Sequence, residues 1–201
     1  MATRIAAYIT NKMLASSIIE EGDSELYCYG FFLLITRFFF FLVTAITGFL
    51  SCLLFESFAF YGVFMILRSY SGGVHAKTET VCTILTTLAL IASVLGIRLL
   101  KQTNSLFVSI SLLATGSLCI LLLSPLDTKD KPLDSQDKKR YRMICDTLVL
   151  LCIIGASISH VLLRNMFFES IICGVFLEGL DVICHKIYCD FSFLSEREDM
   201  I

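Results

Sequence analysis

From Tyr27 to Leu67 the chain runs for forty-one residues with only two charged positions, Arg37 and Glu56. A bilayer hydrocarbon core about 30 Å thick is crossed by roughly 20 helical residues, so this run is long enough for two spans. Thr44-Ala45-Ile46-Thr47-Gly48, near its middle, offers a turn. A tight helical hairpin is predicted, with spans over about 27–46 and 48–67. Further apolar runs predict spans over about 81–100, 106–123, 143–163 and 166–184. Residues 1–26 read differently: Ile5, Tyr8, Ile9, Met13, Leu14 and Ile18 recur at helical spacing, with Arg4, Lys12, Glu20 and Glu21 between them. That pattern suits a helix lying in the membrane interface. The expected fold is all-α, a polytopic membrane protein. It has an N-terminal amphipathic interfacial segment over 1–26, six transmembrane helices over 27–184 and a charged cytoplasmic tail over 185–201.

Composition points the same way. Apolar residues make up 56% of the chain, charged residues 17%, and the mean hydropathy is +0.80. Soluble domains run nearer half apolar and a quarter charged, so no room is left for a separate soluble domain, and lipid is the expected surroundings. A net charge of −2 with no basic stripe gives no nucleic-acid signal. Of nine cysteines, Cys52, Cys119, Cys145, Cys152, Cys173 and Cys184 sit in or beside apolar runs. There they act as small hydrophobes, and reduced thiols are expected. The first residues lack an uninterrupted apolar segment and a cleavage site, so the membrane helices are expected to target the chain themselves.

Charge sets the orientation. With both termini inside, twelve basic residues fall in cytoplasmic segments: Arg4, Lys12, Arg68, Lys77, Lys129, Lys131, Lys138, Lys139, Arg140, Arg142, Lys186 and Arg197. The outer connections hold only three, Arg98, Lys101 and Arg164. Cytoplasmic loops carry the excess of Lys and Arg, so the polar segment after Leu67 faces the cytoplasm. Inside the membrane, Arg37 and Glu56 come to similar depths if the hairpin turns near Gly48, and an ion pair between them is expected.

Chemistry concentrates in Arg68-Ser69-Tyr70-Ser71-Gly72-Gly73-Val74-His75-Ala76-Lys77-Thr78-Glu79-Thr80-Val81-Cys82. Gly72-Gly73 permits positive φ and a close backbone approach. Cys82 is expected to begin the third span, where the positive end of the helix dipole favours thiolate. A nearby histidine can take the proton, which would make His75 and Cys82 a base and a nucleophile. Seven residues on one continuous helix would separate the two by about 10 Å, too far for proton transfer. The pair therefore works only if the helix begins near Cys82 and His75 folds back from the glycine loop. A lone cysteine in an apolar helix is ordinarily packing and a lone loop histidine ordinarily solvated, so the residues alone leave both readings open. Zinc is not expected, because only His75 and Cys82 are local ligands. His185, between Cys184 and Cys189, reads as an interfacial residue.

The stretch LRSYSGGVHAKTETVC resembles the signature of the accessory gene regulator protein B (AgrB) family, which runs Arg, then Gly-Gly-x-His, then Cys seven residues after the His. SPLDTKDKPL, followed by KKRYR, is similar to that family's second cytoplasmic loop, with Asp130 where the family usually has Asn. Length, span number and charge layout match along nearly the whole chain. The resemblance implies a bacterial membrane cysteine endopeptidase that needs no cofactor. It would cut the C-terminal part from an AgrD-type precursor and promote closure of a thiolactone or lactone quorum-sensing peptide. Carried over by position, Cys82 is the nucleophile and His75 the base. Arg68, Gly72 and Gly73 support the site, and Lys129 and Lys131 stand where an acidic peptide tail could bind. A homodimer is left open. The competing readings are a small transporter or channel lined by Arg37, Glu56, Glu178 and Asp181, and a non-catalytic scaffold that holds the peptide.

Overall fold

A computed structural model describes residues 2–72, 79–126, 134–163 and 165–198. Among the described residues the chain is all-helical. Its seven α-helices are α1 (Ala2–Ala15), α2 (Ser24–Leu50), α3 (Leu54–Ser71), α4 (Glu79–Thr103), α5 (Leu106–Leu123), α6 (Ser135–Val161) and α7 (Phe168–Glu198). A single 3-10 turn, Glu21–Asp23, precedes α2. None of the eight described cysteines is in a disulfide. The chain divides into two compact units, residues 1–43 and 44–201, and α2 begins in the first and ends in the second.

In the first unit, α1 buries Ala6 and Thr10 and leaves Ile5 and Tyr8 exposed. Ser17, at φ 52, ends it. Ile18 N–H returns to Met13 O at 3.0 Å and Ser17 N–H to Leu14 O at 2.9 Å. This is a Schellman closure with serine in the position that usually holds glycine.

The same device decides the α2–α3 hairpin, and here the sequence expectation needs correcting. The chain turns at Ser51–Leu53 rather than at Thr44–Gly48. Cys52 takes φ 57, Leu53 N–H bonds Gly48 O at 2.8 Å, and Cys52 N–H bonds Phe49 O at 3.1 Å. Helical turns tolerate threonine, and Gly48 serves packing instead, since a Cβ there would collide with Ser57. Moving the turn also moves Glu56. It is the third residue of α3, close to the helix end. Glu56 is instead held by Lys101 Nζ at 2.6 Å.

Among the described residues, four helical stretches are long and apolar enough to cross a membrane: Glu21–Leu50, Thr80–Thr103, Leu106–Leu123 and Gln136–Val161. Their apolar side chains point outward. Leu85, Leu88 and Leu99 on α4, Phe107, Ile110 and Leu122 on α5, and Leu150, Leu151 and Ile158 on α6 are all exposed. Water would penalise such a surface, whereas lipid accepts it. The two remaining long helices carry more polar residues: α3 has Glu56 and Arg68 near its ends, and α7 takes ionisable residues into the interior. α7 is the hub of the second unit and packs against α3, α4, α5 and α6. It buries Glu169, Ser170, Ile172, Val175, Glu178, Val182 and His185. A core of Leu67, Ile120, Val149 and Val175 joins α3, α5, α6 and α7. The α5–α7 crossing is so close that a Cβ on Gly116 would lie 2.7 Å from Phe176 Cα, and one on Gly179 would lie 2.8 Å from Gly116 Cα. Small residues let two backbones approach in this way where lipid gives no hydrophobic drive. The helix does not stop at Cys184 but continues to Glu198, so the expected tail is largely helical.

Candidate functional site

The last turn of α3 positions the start of the glycine loop. Arg68 forms an ion pair with Asp181 of α7, and its guanidinium carbon lies 5.6 Å from the Phe64 ring centroid. One turn on, the Ser71 hydroxyl hydrogen-bonds Glu178 Oε1 and also lies 2.9 Å from Leu67 O. Glu178 is fully buried, and its Oε2 has no hydrogen-bond partner among the described residues. Both pairs join α3 to α7 through residues spaced i,i+3, which share one helix face.

Gly72 ends α3 at φ 85. Leu126 N–H donates to Ser71 O at 3.0 Å, and a Cβ on Gly72 would lie 3.1 Å from Leu126 O. The left-handed backbone and the crowding both call for glycine here. Through this contact the segment after α3 is fastened to the segment after α5. Arg142 continues the chain of contacts: Nη1 donates to Ser124 O at 2.9 Å, Nη2 donates to Leu121 O, and Nε lies 3.6 Å from Asp146 Oδ1. A cation at the C-terminal carbonyls of α5 also suits the helix dipole. Beside it, Leu123, Ser124, Pro125, Lys138, Lys139 and Arg142 line an open groove of about 430 Å³. The Tyr70 and Tyr141 rings, 5.9 Å apart, tie α3 to α6.

Cys82 is the fourth residue of α4, so it lies in the first turn, and its side chain, outside any disulfide, is half-buried. Of the residues singled out from sequence, Arg68, Gly72 and Cys82 are described. Gly73, His75, Lys129 and Lys131 lie outside the described residues. Arg68 and Gly72 meet at the end of α3 with three groups that the sequence reading had not assigned to the site: Ser71, Asp181 and Leu126. Glu178 had been noted only as an intramembrane charge. The available signal was the matching spacing of Arg68 and Ser71 on α3 with Glu178 and Asp181 on α7.

A sequence profile described as Accessory gene regulator B matches residues 2–182. The chain belongs to the accessory gene regulator B family. Two AgrB-like proteins of Clostridium perfringens, from strains SM101 and 13, are each 28% identical over 161 residues, covering 76% of this chain and 73% of theirs. The accessory gene regulator protein B of Staphylococcus haemolyticus is 30% identical over 122 residues, covering 60% of this chain and 61% of its own. No solved structure matches the chain. The AgrB family takes part in quorum sensing as a processing component and is associated with the AgrD precursor. The profile match takes in the whole of Arg68 to Cys82.

Proposed function

We propose that this AgrB-family protein is a membrane-embedded cysteine endopeptidase that cleaves an AgrD-type precursor and promotes its cyclisation. The observation that carries the reading is Cys82 in the first turn of α4 within a chain of this family. Cys82 Sγ attacks the scissile carbonyl while His75 accepts the thiol proton. His75 then protonates the leaving amine, which departs with the C-terminal part of the precursor. The remaining part is held as a thioester on Cys82. A thiol of the precursor attacks that carbonyl, a thiolactone forms and Cys82 is released; a precursor hydroxyl would give a lactone. Water attacking instead would give a linear peptide, so an active site at the membrane edge favours the ring by restricting water. Going from amide to thioester is uphill, and removal of a product has to draw the reaction on.

The accompanying topology is six spans, α2 to α7, with α1 in the interface and both termini in the cytoplasm of a bacterial cell. Two features of the second unit support it. Glu56 and Lys101 meet at one end of the helices, and Ser71, Leu126 and Arg142 gather at the other. Successive helices from α3 onward therefore alternate in direction. Glu178 and Asp181 are engaged with α3, which weighs against the transporter reading that would have them line a pathway.

Co-expression with a tagged AgrD-type precursor tests the proposal. Wild type should release the C-terminal fragment, while Cys82→Ala and His75→Ala should leave the precursor intact and still bound in the membrane fraction. Normal turnover in His75→Ala together with its loss in His185→Ala would assign the base to the wrong histidine.

A further inference from the structure

We infer that a small cavity at the end of the helices opposite Ser71, Leu126 and Arg142 binds one dehydrated monovalent cation of sodium's size, with Glu169 as its counter-charge. The cavity lies where α4 and α6 end and α5 and α7 begin. Asn104, Ser105, Ser109, His160, Asn165 and Glu169 supply its polar wall. Its volume is about 20 Å³, enough for one particle the size of a water molecule and too little for an ion with its hydration shell. Glu169 carries the argument. It is only 4% exposed, and its Oε2 is sealed from solvent with no hydrogen-bond partner among the described residues. A carboxylate buried in that condition has to be met by a proton or a cation, because an unpaired charge out of water is strongly destabilising. Lys101, on the last turn of α4, is taken by Glu56 at 2.6 Å. Helix dipoles do not supply the missing charge either, since the positive ends of α5 and α7 are matched by the negative ends of α4 and α6.

The rest of the wall offers neutral donors. Ser105 is the N-cap residue of α5, yet its hydroxyl makes no capping hydrogen bond. Ser109, one turn on, is buried. Asn165 is held at φ 65 with its Oδ1 2.6 Å from His160 Nδ1, and Asn104 at φ 46. With Nδ1–H donating to Asn165, the imidazole keeps its lone pair on Nε2. Hydroxyl, amide and carboxylate oxygens are hard donors, and they outnumber the single imidazole, so the set suits a hard cation over a transition metal. One carboxylate balances one positive charge, whereas a divalent ion would leave a net charge buried. An ion held here ties the α4–α5 connection to the α6–α7 connection.

The test uses the full-length protein in mild detergent. It compares thermal unfolding in sodium chloride with unfolding in N-methylglucamine chloride of equal ionic strength, and it measures retention of radioactive sodium. Sodium about tenfold above its Kd should raise Tm by about 3 °C or more, with about one ion retained per chain. Glu169→Gln, similar in shape but uncharged, should lose both effects. Ser109→Ala removes one neutral donor and should raise the sodium concentration of half effect severalfold. Glu56→Gln, which removes a carboxyl outside the cavity, should keep both effects. If Glu169→Gln does not fold, the wild-type titration and Ser109→Ala decide. Equal Tm in the two salts with no sodium retained would overturn the inference. Water would then fill the cavity, or a proton would neutralise Glu169, in which case Tm would rise as pH falls in wild type and not in Glu169→Gln. Sodium effects unchanged in Glu169→Gln would place the ion elsewhere and overturn the site. Millimolar calcium that stabilises more than sodium, and does so only with Glu169 present, would overturn the monovalent assignment.

Discussion

Arg142 donates to two carbonyl oxygens at the end of α5, which removes one positive charge from those the loop could offer a peptide. Its work is structural, since orphan carbonyls at a helix end need donors and a cation there also meets the negative end of the dipole. Arg142→Ala should lower stability in mild detergent by about 1.5–3 kcal/mol, the range for a hydrogen bond that involves a charged group. An unchanged unfolding midpoint would contradict that role. At the opposite end of the helices, Lys101 and Glu56 are both partly exposed. Lys101→Ala should therefore cost no more than about 1 kcal/mol, and a larger loss in the same assay would show the pair to be effectively buried. Single residues were legible in the sequence where their chemistry is rare: Cys82 and His75 stand out by type and spacing. Glu178 and Asp181 stood out as intramembrane charges, but their partners could not be read, because a sequence does not say which face of α7 meets α3.

Helices were legible to the extent that composition alone decides them. α5 was expected over 106–123 and occupies Leu106–Leu123. α4 runs longer than expected at both ends and α6 starts eight residues earlier, since their polar residues continue the helix beyond the apolar stretch, while α6 stops at Val161 rather than 163. The α2–α3 turn was misplaced because the expectation looked for glycine, while the chain closes α2 with Cys52 in the left-handed region. Asn104 does the same for α4, at φ 46 with its N–H on Leu100 O at 2.9 Å. The close α5–α7 crossing was missed for a related reason: Gly116 and Gly179 look unremarkable until the two backbones are brought together. Gly116→Leu should be among the most damaging single changes in the chain. The added side chain meets Phe176 Cα and Val175 O, backbone atoms that cannot rotate aside. A destabilisation of about 3 kcal/mol or more is expected in the detergent unfolding assay, at or above the upper end for core overpacking. A folded yield and midpoint equal to wild type would show that the crossing is looser than described.

In the second unit, outward apolar side chains on α4, α5 and α6 surround the polar hub helix α7, the arrangement expected of a chain dissolved in lipid. Direction and sidedness then follow from charge. Labelling from outside intact cells should reach a thiol introduced by Gln102→Cys and miss one introduced by Asp134→Cys. The reverse pattern would turn the protein over and take the active site away from the cytoplasm. The central claim is narrower than topology: the Cys82 thiol carries the precursor as a thioester. Trapping that adduct tests it most directly. Membranes containing the protein and a tagged precursor, quenched in acid, should yield a covalent species of their combined mass that hydroxylamine cleaves and that is absent in Cys82→Ala. Normal precursor cleavage by Cys82→Ala, with no hydroxylamine-sensitive species in wild type, would contradict the account.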